Sequence, residues 1–138
     1  MEKRGQISLE YLMVVGFVVF VVILLLGLAI FYTATAQDSI ALNQLTNFAN
    51  KILNSAETVY FAGEPSRLTI TTYLPEGVNE FSIQENSLVF NISTSSGITL
   101  TVFPSSVPLD TSSTFNLVEG VKRLQIVATS SNVLVTQV

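Results

Sequence analysis

Residues 11–32 read YLMVVGFVVFVVILLLGLAIFY, and no charged residue occurs at positions 11–37. At a rise of about 1.5 Å per residue, some 20 residues of helix cover about 30 Å, the thickness of a bilayer's hydrocarbon core. An uncharged apolar run of this length reads as a membrane segment. Lys3 and Arg4 precede it, and few basic residues follow. By the positive-inside rule the N-terminus stays in the cytoplasm and the chain beyond Tyr32 lies outside.

Three fates fit such a run. It can be a plain N-terminal anchor. It can be a secretory signal peptide, with Ala34-Thr35-Ala36 as a small-residue cleavage site. Against this, the apolar stretch exceeds the roughly 7–15 residues of a cleavable signal. The third fate is processing ahead of the apolar run, and Glu10 bears on it. A carboxylate at the edge of a uniform apolar helix is costly away from the interface, so such residues are functional candidates by default. A Glu10 held at headgroup depth would be solvated and carry no role.

Working back from Glu10, the chain begins Met1-Glu2-Lys3-Arg4-Gly5 and continues Gln6-Ile7-Ser8-Leu9-Glu10. This stretch resembles the class III signal peptide of archaeal type IV prepilins. That pattern is Gln, any residue, Ser, any residue, Glu, then three residues and Leu. Gln6, Ser8 and Glu10 match it, and Val14 stands at the Leu position. The resemblance covers about the first 30 residues. It implies a five-residue leader carrying Lys3 and Arg4, cut by a prepilin peptidase between Gly5 and Gln6. It also implies a subunit of a homopolymeric filament, assembled by a pilus ATPase and membrane platform and serving adhesion or attachment. The protein would sit in the membrane before assembly and on the cell surface afterwards.

The spacing also has a physical reading. After cleavage Gln6 would carry a free α-amino group, cationic below its pKa of about 7.7–8.0. Neither this amine nor the Glu10 carboxylate is stable alone in an apolar surrounding. Glu10 can pair with the Gln6 amine of a neighbouring copy and set register during assembly. Residues four apart share a helix face, so it can also pair within its own chain. Either pairing is a matter of specificity more than of net stability.

Beyond the apolar run, Leu45, Phe48, Ala49, Ile52, Leu53, Ala56, Val59 and Tyr60 recur at helical spacing. Asn43, Gln44, Asn47, Asn50, Lys51, Asn54 and Glu57 fill the opposite face. The spacing predicts one helix over residues 6–62 with a weak joint at 33–39. Gly63-Glu64-Pro65 supplies the stop signal. From residue 66 to 138 the period changes to two, as in Leu68, Ile70, Thr72 and Leu74 or Leu88, Phe90 and Ile92. Turn signals fall at Pro75-Glu76-Gly77, Glu85-Asn86-Ser87, Ser95-Ser96-Gly97, Glu119-Gly120 and Ser130-Ser131-Asn132. About seven short antiparallel strands are expected, including one over residues 115–118. The expected fold is α+β, a long N-terminal helix packed on an antiparallel β-sandwich or barrel-like head.

Composition narrows the chemistry. The chain has no Cys, no His and no Trp, and its formal net charge is −4. Disulfides and thiolate metal sites are thereby excluded, and the commonest general base and nitrogen ligand are missing. No basic face for nucleic acid is present. The acids Glu64, Glu76, Glu80, Glu85, Asp110 and Glu119 are scattered and read as solvated surface. No catalytic constellation, metal site or cofactor is expected. Asn91-Ile92-Ser93 is an N-glycosylation sequon, and strand parity turns Asn91 outward. Two function classes remain: a filament subunit, and a membrane-anchored extracellular binding module that does not polymerise. Gly5, Gln6 and Glu10 favour the first, since a plain anchor needs none of them.

Overall fold

The structure is a computed structural model that describes residues 3–84, 86–111 and 114–138, the side chains of residues 3–7 and 34 excepted. It divides into two compact units, Met1–Gln37 and Asp38–Val138. The boundary falls inside one secondary-structure element. Helix α1 runs over Lys3–Ala62.

In the first unit, helical hydrogen bonding persists through the Thr-containing stretch expected to be weak. Thr33 Oγ1 donates to the Ala29 carbonyl at 2.9 Å, and Thr35 Oγ1 donates to the Phe31 carbonyl at 3.4 Å. Each hydroxyl thus satisfies itself on its own helix, which suits an environment without water. The large apolar side chains of residues 9–32 are exposed on all helix faces, with Val21 the single half-buried exception among them.

In the second unit, α1 becomes amphipathic. Leu45, Phe48, Ala49, Ile52, Ala56 and Val59 are buried, Leu53 is half-buried, and Tyr60 stays at the exposed margin of the stripe. The helix stops where the sequence says it should. Gly63 adopts φ +73°, a left-handed conformation that costs a side chain dearly, and its N–H reaches the Tyr60 carbonyl at 3.1 Å.

The head holds seven strands in two sheets. They are β1 (Arg67–Leu74), β2 (Val78–Gln84), β3 (Ser87–Thr94), β4 (Gly97–Pro104), β5 (Leu109–Asp110), β6 (Gly120–Ala128) and β7 (Val133–Gln137). One sheet has the order β1-β6-β7-β5 and the other β2-β3-β4. The second is a plain meander of hairpins. The first pairs β1 with a distant strand, Arg67 lying opposite Val127 and Leu74 opposite Gly120. The chain crosses from one sheet to the other at Gly77. There φ is +84°, and a Cβ would meet the Ser93 carbonyl oxygen at 3.0 Å, so glycine is required twice over.

The core lies between the two sheets and the amphipathic half of α1. Phe90 is its centre, fully buried on β3. Its ring meets Phe48 of the helix edge-on at 5.9 Å, Phe81 of β2 at 4.8 Å and Phe103 of β4 at 5.9 Å. Such contacts add about 0.5–1.5 kcal/mol per pair beyond the area they bury. Inward positions alternate along β3 and β6, as expected of half-buried strands.

The α+β architecture agrees with expectation, the head taking the two-sheet form of the two expected and not closing into a barrel, and two details differ. The pairing is not wholly antiparallel, since the short β5 runs parallel to β7 through Leu109↔Val133 and Asp110↔Leu134. Residues 115–118 form no strand. Phe115 and Leu117 pack against the core from the loop instead, Phe115 meeting Phe81 at 4.5 Å. The loop's amides are met by side chains: Asn116 N–H donates to Gln137 Oε1 at 2.8 Å and Val118 N–H to Asn116 Oδ1 at 3.0 Å. Two of the segment's amides thus find side-chain acceptors in place of a ladder. The expected turn residue Glu85 lies outside the described residues.

Candidate functional site

The feature that stands out chemically is the first part of α1. Among the described residues, one helix is long and apolar enough to cross a membrane. Phe17, Phe20, Ile23, Leu26 and Ile30 are each at least 59% exposed. Moving a large apolar side chain out of water is worth about 1.5–3 kcal/mol, so the segment as a whole gains on the order of tens of kcal/mol from an apolar surrounding. Among the described residues nothing covers these side chains, which is consistent with membrane association.

Glu10 sits near the start of this segment and is exposed. Gln6 precedes it by one helical turn, so the backbone places both on one face. Gly5 and Gln6, the expected processing site, and Lys3 and Arg4, the leader charges, have helical backbone, and their side chains lie outside the described residues. Gly16 and Gly27 fall on nearly the same helix face, eleven residues apart. A Cβ at either would meet nothing within 4 Å. No packing inside this chain calls for glycine there.

Asn91 lies on β3 between the inward-facing Phe90 and Ile92, on the outer face of its sheet. It is half-buried, and its Oδ1 is buried with no hydrogen-bond partner among the described residues.

Two polar residues tie parts of the head together and a third is buried in it, and periodicity singled out none of them. Asp38 opens the second unit. Both its carboxylate oxygens accept from the Ser95 N–H, at 3.0 and 3.1 Å, and Oδ2 also accepts from Ser95 Oγ. The β3–β4 turn is thereby fastened to the helix. Lys51 Nζ donates to the Thr71 carbonyl on β1 at 2.7 Å. Lys122, the third, separates from its neighbour: Arg123 is exposed, while Lys122 takes an inward position on β6 and is 9% exposed. It lines a narrow cleft with about 10 Å³ of free space together with Phe48, Phe81, Phe90 and Phe115. The signal for Lys122 was present in the alternation that runs through Leu124 and Ile126. Asp38 and Lys51 gave none, because their partners are 57 and 20 residues away.

The space in this cleft holds about one water, far below the roughly 300–1,000 Å³ of small-molecule sites. Among the described residues, no three His, Cys, Asp or Glu side chains gather where a metal could bind.

Comparison with protein-family models, with curated proteins and with solved structures gives no match. The class rests on the architecture. A long apolar, then amphipathic N-terminal helix joined to a two-sheet head is broadly consistent with pilin-like folds and with membrane association.

Proposed function

We propose that this chain is a pilin of the archaeal type IV kind, inserted in the membrane and then polymerised through its apolar helix into a surface filament that serves attachment. One observation carries the reading: a helix with apolar side chains exposed on every face, headed by the single carboxylate Glu10. In the proposal, a prepilin peptidase cuts between Gly5 and Gln6. The new Gln6 amine meets Glu10 of a neighbouring copy, and an assembly ATPase and membrane platform add subunits. Gly16 and Gly27 let helices approach closely. The head stands outside, where Asn91 is a candidate for N-glycosylation.

The test is Glu10→Ala in cells that make the filament. Membrane insertion and head stability are unchanged, and incorporation into filaments is lost. Normal filament yield from that variant sinks the pairing. Mass spectrometry of the mature protein tests the processing. A chain starting at Gln6 supports the proposal, a start at Gln37 supports a conventional signal peptide, and an intact Met1 supports a plain anchor.

A further inference from the structure

The head has four sheet edges, and three carry a device against pairing with another chain. On β1, Lys51 Nζ occupies the Thr71 carbonyl. On β2, the register shifts between Val78 and Glu80, and Glu80 adds a charge. On the remaining edge of the four-stranded sheet, β5 is two residues long and one of them is Asp110. Charges, bulges and short edge strands are the usual protections of an edge.

β4 has no charge, no bulge and a length of eight residues, and its one proline, Pro104, stands at its last position, outside the 98–102 stretch. Its register with β3 is unbroken from Ser87↔Pro104 to Thr94↔Gly97. Among the described residues, no strand pairs with its other side. Its outer face presents Ile98 at 72%, Leu100 at 66% and Val102 at 50% exposure. A long, regular, apolar edge of this kind is a template for strand addition.

The sequence of β4 says what fits it. Ile98-Thr99-Leu100-Thr101-Val102 reads nearly the same in both directions about Leu100. A two-fold axis at Leu100, with the strands antiparallel, sets Leu100 against Leu100 of a second copy. It sets Thr99 against Thr101 and Ile98 against Val102. Matched pairs of this sort stabilise antiparallel strands, and self-complementarity is what a two-fold contact requires. Charge points the same way. Two copies of a chain with net charge −4 repel on average, and β4 is a surface on which they can meet without opposing charges.

We infer that β4 is a pairing edge for β4 of a second copy of this chain, joining the two three-stranded sheets into one of six strands. The contact is two-fold and closes on itself, so it links two chains, or two filaments side by side, and does not propagate a filament. It stands apart from the helix-driven assembly proposed above.

Because the chain has no cysteine, single introduced cysteines report the contact. The full chain is oxidised in detergent micelles. Directly opposed Cβ atoms lie about 4.5–5.5 Å apart, close to disulfide reach. Leu100→Cys forms disulfide-linked dimers, at least about five-fold more than Thr71→Cys on the capped β1 edge. Ile98→Cys chains link to Val102→Cys chains and not to each other. A sugar on Asn91, the β3 neighbour of Leu100, would stand on the same face, so the yield is read on protein whose mass shows Asn91 unmodified. Equal yields at residues 100 and 71 would overturn the pairing. Ile98→Cys self-linkage as strong as its linkage to Val102→Cys would overturn the two-fold register. A foreign strand or a lipid surface as the true occupant of β4 gives the first of these failures.

Discussion

Residues 9–32 and residues 45–59 belong to one helix and draw on similar aliphatic and aromatic side chains, yet the first set is exposed and the second buried. The difference is one of arrangement. In 45–59 the apolar residues keep to a stripe, and Asn47, Asn50 and Asn54 lie outside it in water. A stripe can be covered by two sheets of the same chain. In 9–32 the apolar residues surround the helix, and a fold of this size offers nothing that could surround it in turn. One half is therefore completed by its own head, and the other is left for the bilayer or the neighbouring helices of the proposed filament.

The largest expected effect breaks the comparison on the buried side. Phe90→Ala removes the ring that Phe48, Phe81 and Phe103 all touch. It should destabilise the head by about 3–5 kcal/mol, read by urea denaturation, while membrane association of residues 9–32 is unchanged. Simultaneous loss of membrane association would show that the two halves are not independently completed. Next comes the exposed side. Val22→Arg places a charge mid-span at a cost of about 2.5–3.5 kcal/mol to insertion. Because this is small beside the segment's gain of tens of kcal/mol, the protein should stay in the alkaline-carbonate pellet with the head's unfolding midpoint unmoved, and its release would show that the gain is far smaller than the exposed area implies. The smallest effect sharpens the boundary of the buried half. Gly63→Ala puts a Cβ at φ +73° and should cost the head about 1 kcal/mol, with no effect on insertion. A neutral result would mean that the end of the helix relaxes freely.

Period and composition carry far in this chain. The helix, its apolar and amphipathic halves, its stop at Gly63 and six of the seven strands follow from spacing and turn residues alone. What escaped depends on long-range contacts. The two residues of β5 are too few to show a period, and their parallel partner β7 lies more than 20 residues on. Residues 115–118 alternate like a strand because Phe115 and Leu117 face the core, but their amides find Gln137 and Asn116. Alternation reports burial, and a ladder needs a partner as well. The same limit applies to the site. Glu10 is conspicuous as a charge beside an apolar run, whereas the roles of Asp38 and Lys51 appear once Ser95 and Thr71 are brought to them.

The order of strands in the head also sets an order in time. β2, β3 and β4 are consecutive hairpins, so their sheet can close once Pro104 has been made. β1 precedes them in the chain but must wait for β6, whose residues Gly120–Ala128 arrive last but one. Local pairings form faster than distant ones. A head made N-terminus first therefore carries β1 unpaired until near the end, its Thr71 carbonyl within reach of Lys51 from a helix already made. Pulsed hydrogen exchange during refolding should find the amides of β3 protected before those of β1, and the reverse order would show that the distant pairing nucleates the fold.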